Sequence, residues 1–231
     1  MNKFSLAITN WNRDEMLMES FAQVLNDERI TEIVILDDHS DNEIYESVKS
    51  KLEPLKPKVK LFRNPINIGM ALAKRKAISL CENDWVIIFD SDNRLNIDYV
   101  DSVAKLPLSK NVIYMPEWAM PTFDYRQYRG IIFDRDNIKE FLNRPMFSAL
   151  LNTCNYVVHK ETYLYNYEHN KEVHQTDTIW HLYSHMRRDG QFFVVLGMNY
   201  MHRTHSGSGW LSEAAYNTVK GNEILELIRA L

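Results

Sequence analysis

Apolar and polar positions alternate in blocks along the first part of the chain. Phe4–Thr9, Ile30–Leu36 and Trp85–Phe89 are short runs rich in apolar and β-branched residues, and Val59–Phe62 is a shorter one. Such runs are what strands buried on both faces of a parallel sheet require. The segments between them have helical spacing. Asp14–Leu25 carries Met16, Leu17, Phe21, Val24 and Leu25 on one stripe, and Asp41–Leu52 is ended by Pro54 and Pro57. A third helix is predicted from a capping Asn67 to about Cys81. Strand and helix in strict alternation predict an α/β fold, with a mostly parallel sheet, right-handed crossovers and flanking helices.

After Asp92 the pattern loosens. Helices are predicted over Ile97–Ala104, Asn137–Leu142, Thr176–Arg188 (stopped by Asp189-Gly190) and Glu213–Leu231. Strands are predicted at Val112–Met115, Asn155–His159, Phe192–Leu196 and Met198–Met201. Glu117–Ile132 is dense in Tyr, Phe and Arg and reads as an irregular hairpin. No repeat, linker or low-complexity tract interrupts the chain, so residues 1–231 are expected to form a single domain.

Composition narrows the function classes. The 231 residues are 45% hydrophobic and 25% charged, which is ordinary for a globular protein. A net charge of −4 and a pI near 6.1 argue against a nucleic-acid partner. No apolar run is long enough for a membrane-spanning helix. The five residues between Lys3 and Thr9 are too few for the core of a leader peptide and read as a first strand. Cys81 and Cys154, each in an apolar segment, are expected to be buried free thiols in a reducing cytosol, which predicts a cytoplasmic protein. The five Trp, twelve Tyr and ten Phe suit either a core or sugar-stacking walls.

The candidate chemistry sits where strands stop. Asp90-Ser91-Asp92 follows Trp85–Phe89, Asp37-Asp38-His39-Ser40 follows Ile33–Leu36, and Thr9-Asn10-Trp11-Asn12-Arg13 closes the first strand. Strand tips of a parallel sheet share one edge, where ligands of open α/β sheets collect. Thr9, Asp38, Asp90 and Asp92 are thus expected to converge. Two carboxylates one residue apart favour a hard divalent cation, although a strand-end turn uses the same residues. The Asp37-Asp38 pair reads equally as a cap and turn.

Four blocks, Ser5–Arg13, Ile33–Asp41, Asn67–Lys74 and Ile87–Asp92, resemble in order and spacing those of the GT-A-fold family-2 glycosyltransferases. The likeness covers about the first 95 residues well and the remainder more thinly. It implies a GT-A fold, with 1–95 as a nucleotide-sugar donor half and 96–231 as an acceptor and catalytic half. It also implies a metal-dependent, inverting transfer of a sugar from a UDP-sugar to an acceptor hydroxyl, in surface polysaccharide synthesis. Under it, Thr9 would line the uracil and ribose site beside Asn12 and Arg13, and Asp38 would accept the uracil N3–H. Lys74 or Arg75 would approach the base or phosphates. Asp90 and Ser91 would hold ribose or metal-bound water, and Asp92 would ligate Mn2+ or Mg2+. Gln175–Trp180 resembles the family's block that supplies the base, with Asp177 as that base and Thr176 where the family has Glu. Asp177 is equally placed to cap a helix. His202, with His205 in reserve, resembles a third metal ligand, and the Ser/Gly stretch after it could close as a lid. Trp118, Phe123, Tyr125 and Tyr128, with Arg126 and Arg129, suit an acceptor platform or an apolar hairpin face.

A glycan or other hydroxyl acceptor is the implied partner, and peripheral membrane association or a homo-oligomer stays open. Two other readings use the same residues. A non-catalytic nucleotide-sugar module would keep the donor blocks without a working base. Phosphotransferases with a strand-end Asp-x-Asp place it near the N-terminus, with a small residue two positions on, whereas here that position is Arg94.

Overall fold

The structure is a computed structural model that describes residues 2–205 and 207–231; Met1 and Ser206 lie outside the described residues. The four apolar runs are strands. β1 (Phe4–Asn10), β2 (Ile30–Asp37), β3 (Val59–Arg63) and β4 (Trp85–Asp90) lie parallel in the order β3-β2-β1-β4. Every residue of β1 except Thr9 is buried, as is every residue of β2 except Thr31. Helices α1 (Glu15–Phe21), α2 (Asn42–Leu52) and α3 (Met70–Ser79) connect these strands, and α3 packs on β1 and β2.

The second half extends the same sheet. It contains β5 (Arg94–Leu95), α4 (Ile97–Ala104), β6 (Val112–Met120), β7 (Phe123–Asp124), β8 (Ile132–Phe133), α5 (Phe147–Leu151) and β9 (Tyr156–His159). It continues with α6 (Lys160–Asn166), α7 (Asp177–Met186), β10 (Gln191–Met201), α8 (Gly209–Ser212) and α9 (Ala214–Arg229). β9 runs antiparallel between β4 and β6, while β6 and β10 pair in parallel and so return to the direction of β1–β4. Among the described residues this makes one ten-stranded sheet, with β7 paired to β6 and β8 to β10.

Several expectations are corrected. The two strands predicted over 192–201 are one strand, β10, whose register shifts between Val195 and Asn199. Gly197, at φ +82°, sits in that shift, in the left-handed region that glycine adopts without penalty. The third helix begins at Met70 rather than just after Asn67, because Gly69 at φ +83° is its cap and Asn67 Oδ1 accepts the Gly69 N–H at 3.0 Å. Residues 137–142 form only a short turn of 3-10 helix at Ile138–Glu140. Cys81 is a buried free thiol, but Cys154 is only half-buried. The aromatic segment divides: Tyr128 is core, edge-on to Phe147 at 5.1 Å, whereas Trp118 lies beneath the Arg126 guanidinium at 4.2 Å. No helix among the described residues is long and apolar enough to cross a membrane.

Candidate functional site

Parallel register gathers the strand tips. Across β1, Thr9 is opposite Asp90 and Asn10 is opposite Asp37. Asn10 is 1% exposed, and both of its side-chain polar atoms lack a partner among the described residues. Of the residues at these tips, Asn12 and Asp38 hold loops together. The Asn12 N–H donates to Ser40 Oγ, and Asn12 Oδ1 accepts the Asp41 N–H, both at 2.8 Å. Asp38 Oδ1 accepts from Asn64 Nδ2 at 2.8 Å and the Ile68 N–H at 2.9 Å, and Oδ2 accepts the Gly69 N–H at 2.9 Å. A carboxylate has about four acceptor sites, so Asp38 shapes the entry to α3 with most of its capacity.

Lys74 is where the structure departs most from the sequence reading. It is 1% exposed, on the inner face of α3, and its Nζ lies 3.0 Å from Asp177 Oδ2 and 3.6 Å from Asp90 Oδ1. Burial pushes its pKa down, but Asp177 and Asp90 together outweigh burial and hold the ammonium charged well above the usual lysine range. Burial pushes Asp90 upward; Lys74 pulls it back and Asp92 pushes it further up. Burial and the neighbouring Asp90 push the Cys154 thiol well up. Arg75 points elsewhere: it is exposed, with its guanidinium 5.4 Å from the Tyr167 ring centre.

Asp92 is held from two sides. Arg13 Nη2 reaches Asp92 Oδ2 at 3.0 Å, and Nη1 lies 3.5 Å from the buried Ser91 Oγ. His205 Nε2 meets the same Asp92 oxygen at 3.1 Å. The favoured histidine of the sequence reading was His202, but His205 is the one that touches Asp92. The reason lies in the chain path. The His202 N–H donates to the Met120 carbonyl at 2.7 Å, prolonging the β10 ladder, and its ring sits edge-on to Phe123 at 5.1 Å with Nδ1 unpartnered among the described residues. Arg203 then ties the chain to the Asp90–Asn93 turn, its N–H donating to Asn93 Oδ1 at 3.0 Å. That tie delivers His205. The Ser/Gly stretch read as a lid includes Ser206, which lies outside the described residues.

Among the described residues no group of three or more His, Cys, Asp or Glu is assembled as a ready metal cage. The pair that is present still fits a cation. Two neighbouring ligands of an octahedral shell, each about 2.1 Å from the metal, stand about 3 Å apart, which matches Asp92 Oδ2 and His205 Nε2 at 3.1 Å. Small divalent cations commonly take one or two protein ligands and complete their shell with phosphate oxygens and water.

Asp177 is the first residue of α7 and is 8% exposed. The buried side of that helix carries His181 and His185. His185 is fixed by Asn166 Nδ2 at 2.7 Å on Nδ1 and by the Asn111 carbonyl at 3.1 Å on Nε2. Burial pushes His185 from 6.5 down to about 4. Below pH 6.5 the unfolded chain binds a proton that the folded one refuses until about pH 4, so stability falls as pH falls through that window. A shift of this size corresponds to about 3 kcal/mol. The melting temperature should therefore drop more steeply from about pH 7 to about pH 4 in the parent than in His185→Gln. Parallel slopes would clear His185.

Comparison with known proteins gives the fold and the family. No curated protein matched the chain. Among solved structures it is similar to GalNAc-T7 with UDP, GalNAc and Mn2+, at 16% identity and a TM-score of 0.68, covering 89% of this chain and 44% of that one. It is also similar to S. aureus TarS 1-349 in complex with UDP-GlcNAc, at 15% identity and a TM-score of 0.71, covering 98% of this chain and 65% of that one. For S. aureus TarS the values are 13% and 0.65, with 98% of this chain and 43% of that one. The chain thus spans less than half of GalNAc-T7 and about two thirds of the TarS fragment. These likenesses show the fold, a single α/β domain of the GT-A type. The profile of the family described as "Glycosyl transferase family 2" matches residues 5–154, from the first strand past the Asp90–Asp92 turn to Cys154. Matched over more than half of its length, the chain belongs to glycosyl transferase family 2.

Proposed function

We propose that the protein transfers a sugar from a UDP-sugar to an acceptor hydroxyl with inversion at the anomeric carbon. The observation that carries this reading is the buried array Asp177–Lys74–Asp90 beside Asp92. It joins a carboxylate at the start of α7 to the strand-end carboxylates through one sequestered cation. The UDP and UDP-GlcNAc held by the structural neighbours support a uridine donor.

Thr9, Asn10 and the remaining acceptor site of Asp38 would face the nucleoside, with the Asp38 carboxylate accepting the uracil N3–H. Arg13 lies where a diphosphate would compete with Asp92 for its guanidinium. Asp92 and His205 would hold a Mn2+ or Mg2+ ion, and when bound this ion supplies positive charge against the leaving diphosphate. Asp177 Oδ2 is committed to Lys74, so Oδ1 would take the acceptor proton. As that proton moves, the acceptor oxygen bonds to the anomeric carbon. The bond from that carbon to the β-phosphate oxygen breaks, and its electron pair leaves with UDP. Lys74 keeps Asp90 as a partner when the Asp177 charge is neutralised, so the buried ammonium is never orphaned. The acceptor is proposed to be a glycan hydroxyl, as in surface polysaccharide synthesis.

The test is release of UDP from UDP-sugars, measured with and without hydroxyl acceptors, after a thermal-shift screen with Mn2+. A ligand at a hundred times its Kd stabilises by about 2.7 kcal/mol, which is about 5–11 °C in melting temperature for a domain of this size. Asp92→Ala should abolish the Mn2+-dependent part of UDP binding in calorimetry; unchanged metal-dependent affinity would remove Asp92 from the site. No UDP release from any UDP-sugar, with binding intact, would leave a non-catalytic module.

A further inference from the structure

Glu117 lies in the middle of β6, is 8% exposed, and has a buried Oε2 without a hydrogen-bond partner among the described residues. An unpaired buried carboxylate is costly to keep unless something arrives to satisfy it. Arg126 feels the Glu117 charge but spends its guanidinium contacts on other groups, over the Trp118 ring at 4.2 Å and on Asp124 at 2.6 Å.

The face on which Glu117 stands leads to the candidate site. The Tyr125 N–H donates to the Glu117 carbonyl at 2.9 Å, and Ala119 pairs with Phe123, so Tyr125 is opposite Glu117. Opposed residues of an antiparallel pair project to the same face. There the rings of Phe123 and Tyr125 stack, with centres 6.4 Å apart and planes 8° from parallel. Across β6, Ala119 is opposite Tyr200, which is edge-on to Phe89, the residue before Asp90, at 5.6 Å. Tyr200 also meets the ring of His202, whose Nδ1 is a second buried atom without a partner. The Tyr125 hydroxyl is 2.7 Å from Thr153 Oγ1, next to the Cys154 thiol that borders Asp90. One face therefore holds stacked aromatic rings, together with a carboxylate oxygen and an imidazole nitrogen that have no hydrogen-bond partner among the described residues, and it ends at Asp90.

We propose that this face is a pyranose subsite in which Glu117 accepts hydrogen bonds from ring hydroxyls while the half-buried Phe123, backed by the buried Tyr125, forms the apolar wall. An ionised carboxylate only accepts, and a sugar edge offers donors in number. A site built around a substrate hydroxyl rejects an analogue lacking it far more strongly than an apolar pocket rejects an extra group. Glu117 is accordingly the specificity-determining residue for one of the two sugars of the reaction, an inference that rests on the glycosyl-transfer reading above.

The experiment compares the parent with Glu117→Gln, which keeps size and removes charge. Calorimetry gives affinities for UDP and for the UDP-sugar, and steady-state kinetics gives KM and kcat for the acceptor. Binding of UDP alone should be unchanged. If the subsite holds the donor sugar, UDP-sugar affinity falls at least tenfold. If it holds the acceptor, donor affinity stays and the acceptor KM rises at least tenfold with little change in kcat. A Glu117→Gln protein whose constants all stay within twofold of the parent, whatever its melting temperature, overturns the assignment. Should that variant not fold, the parent is tested with monodeoxy analogues of both sugars, and indifference to every ring hydroxyl overturns it equally. A parent that binds neither UDP nor any UDP-sugar ends the transfer reading itself, which is a separate and visible failure.

Discussion

Asp177→Asn is expected to leave UDP-sugar affinity nearly intact while turnover falls by about 10²–10⁴-fold, the usual range for loss of a general base. Asparagine keeps the size of aspartate, and no side-chain cap bond of α7 is lost with the change, but it cannot take a proton. Loss confined to kcat is the mark of an interaction made only in the transition state. The fold should survive, because Lys74 keeps Asp90 at 3.6 Å when Asp177 loses its charge. One charge-assisted hydrogen bond at 3.0 Å is weakened, at a cost of about 1.5–3 kcal/mol. If Asp177 merely caps α7, turnover per folded molecule stays near that of the parent. Turnover, donor affinity and melting temperature measured side by side separate the two. The configuration of the product is an independent check, since direct displacement inverts the anomeric centre and a retained configuration would contradict it.

How much of this was legible beforehand depends on which physical signal each part leaves in the chain. β1, β2 and β4 are covered on both faces, so most of their residues are apolar and the run declares itself. α5 and α6, of five and seven residues, are too short to show a helical period. β10 was divided because Gly197 interrupts its alternation, although the strand continues through the irregularity.

The candidate site divides along similar lines. Asp177 is implied by the resemblance of Gln175–Trp180 to the family's block, whereas strand ends point to Asp90 and Asp92, because position along an element is written in the sequence. Whether a side chain on α3 faces the phosphates or the protein interior is not. Lys74 and Arg75 are neighbours in sequence, yet one is sealed between two carboxylates and the other is exposed, over the half-buried Tyr167 ring. Only packing of α3 against β1 and β2 decides between them. Glu117 leaves even less trace. A lone acidic residue in an aromatic segment reads as hairpin surface, and its burial without a partner exists only once β6, β7 and β10 are assembled.

Lys74→Met should be the most destabilising single change at the site. Met has similar length and no charge, so packing is nearly conserved. What is lost is the cation between Asp177 Oδ2 and Asp90 Oδ1, with side chains only 8% and 14% exposed. Removing one partner of a buried ion pair costs about 3–5 kcal/mol, because the remaining charge is left without compensation. For a domain of this length that is about 6–20 °C in melting temperature. The origin of the loss can be read from a second substitution. If the damage comes from the orphaned carboxylate, Lys74→Met combined with Asp177→Asn should be more stable than Lys74→Met alone, with a coupling of about 0.5–3 kcal/mol. If Lys74 acts only through its aliphatic stem, the two losses should simply add. Turnover separates further: the double variant should regain stability and gain no activity, because the group proposed to take the proton is gone. Strictly additive melting data would dissolve the buried array as a unit, and with it the observation on which the proposed mechanism stands.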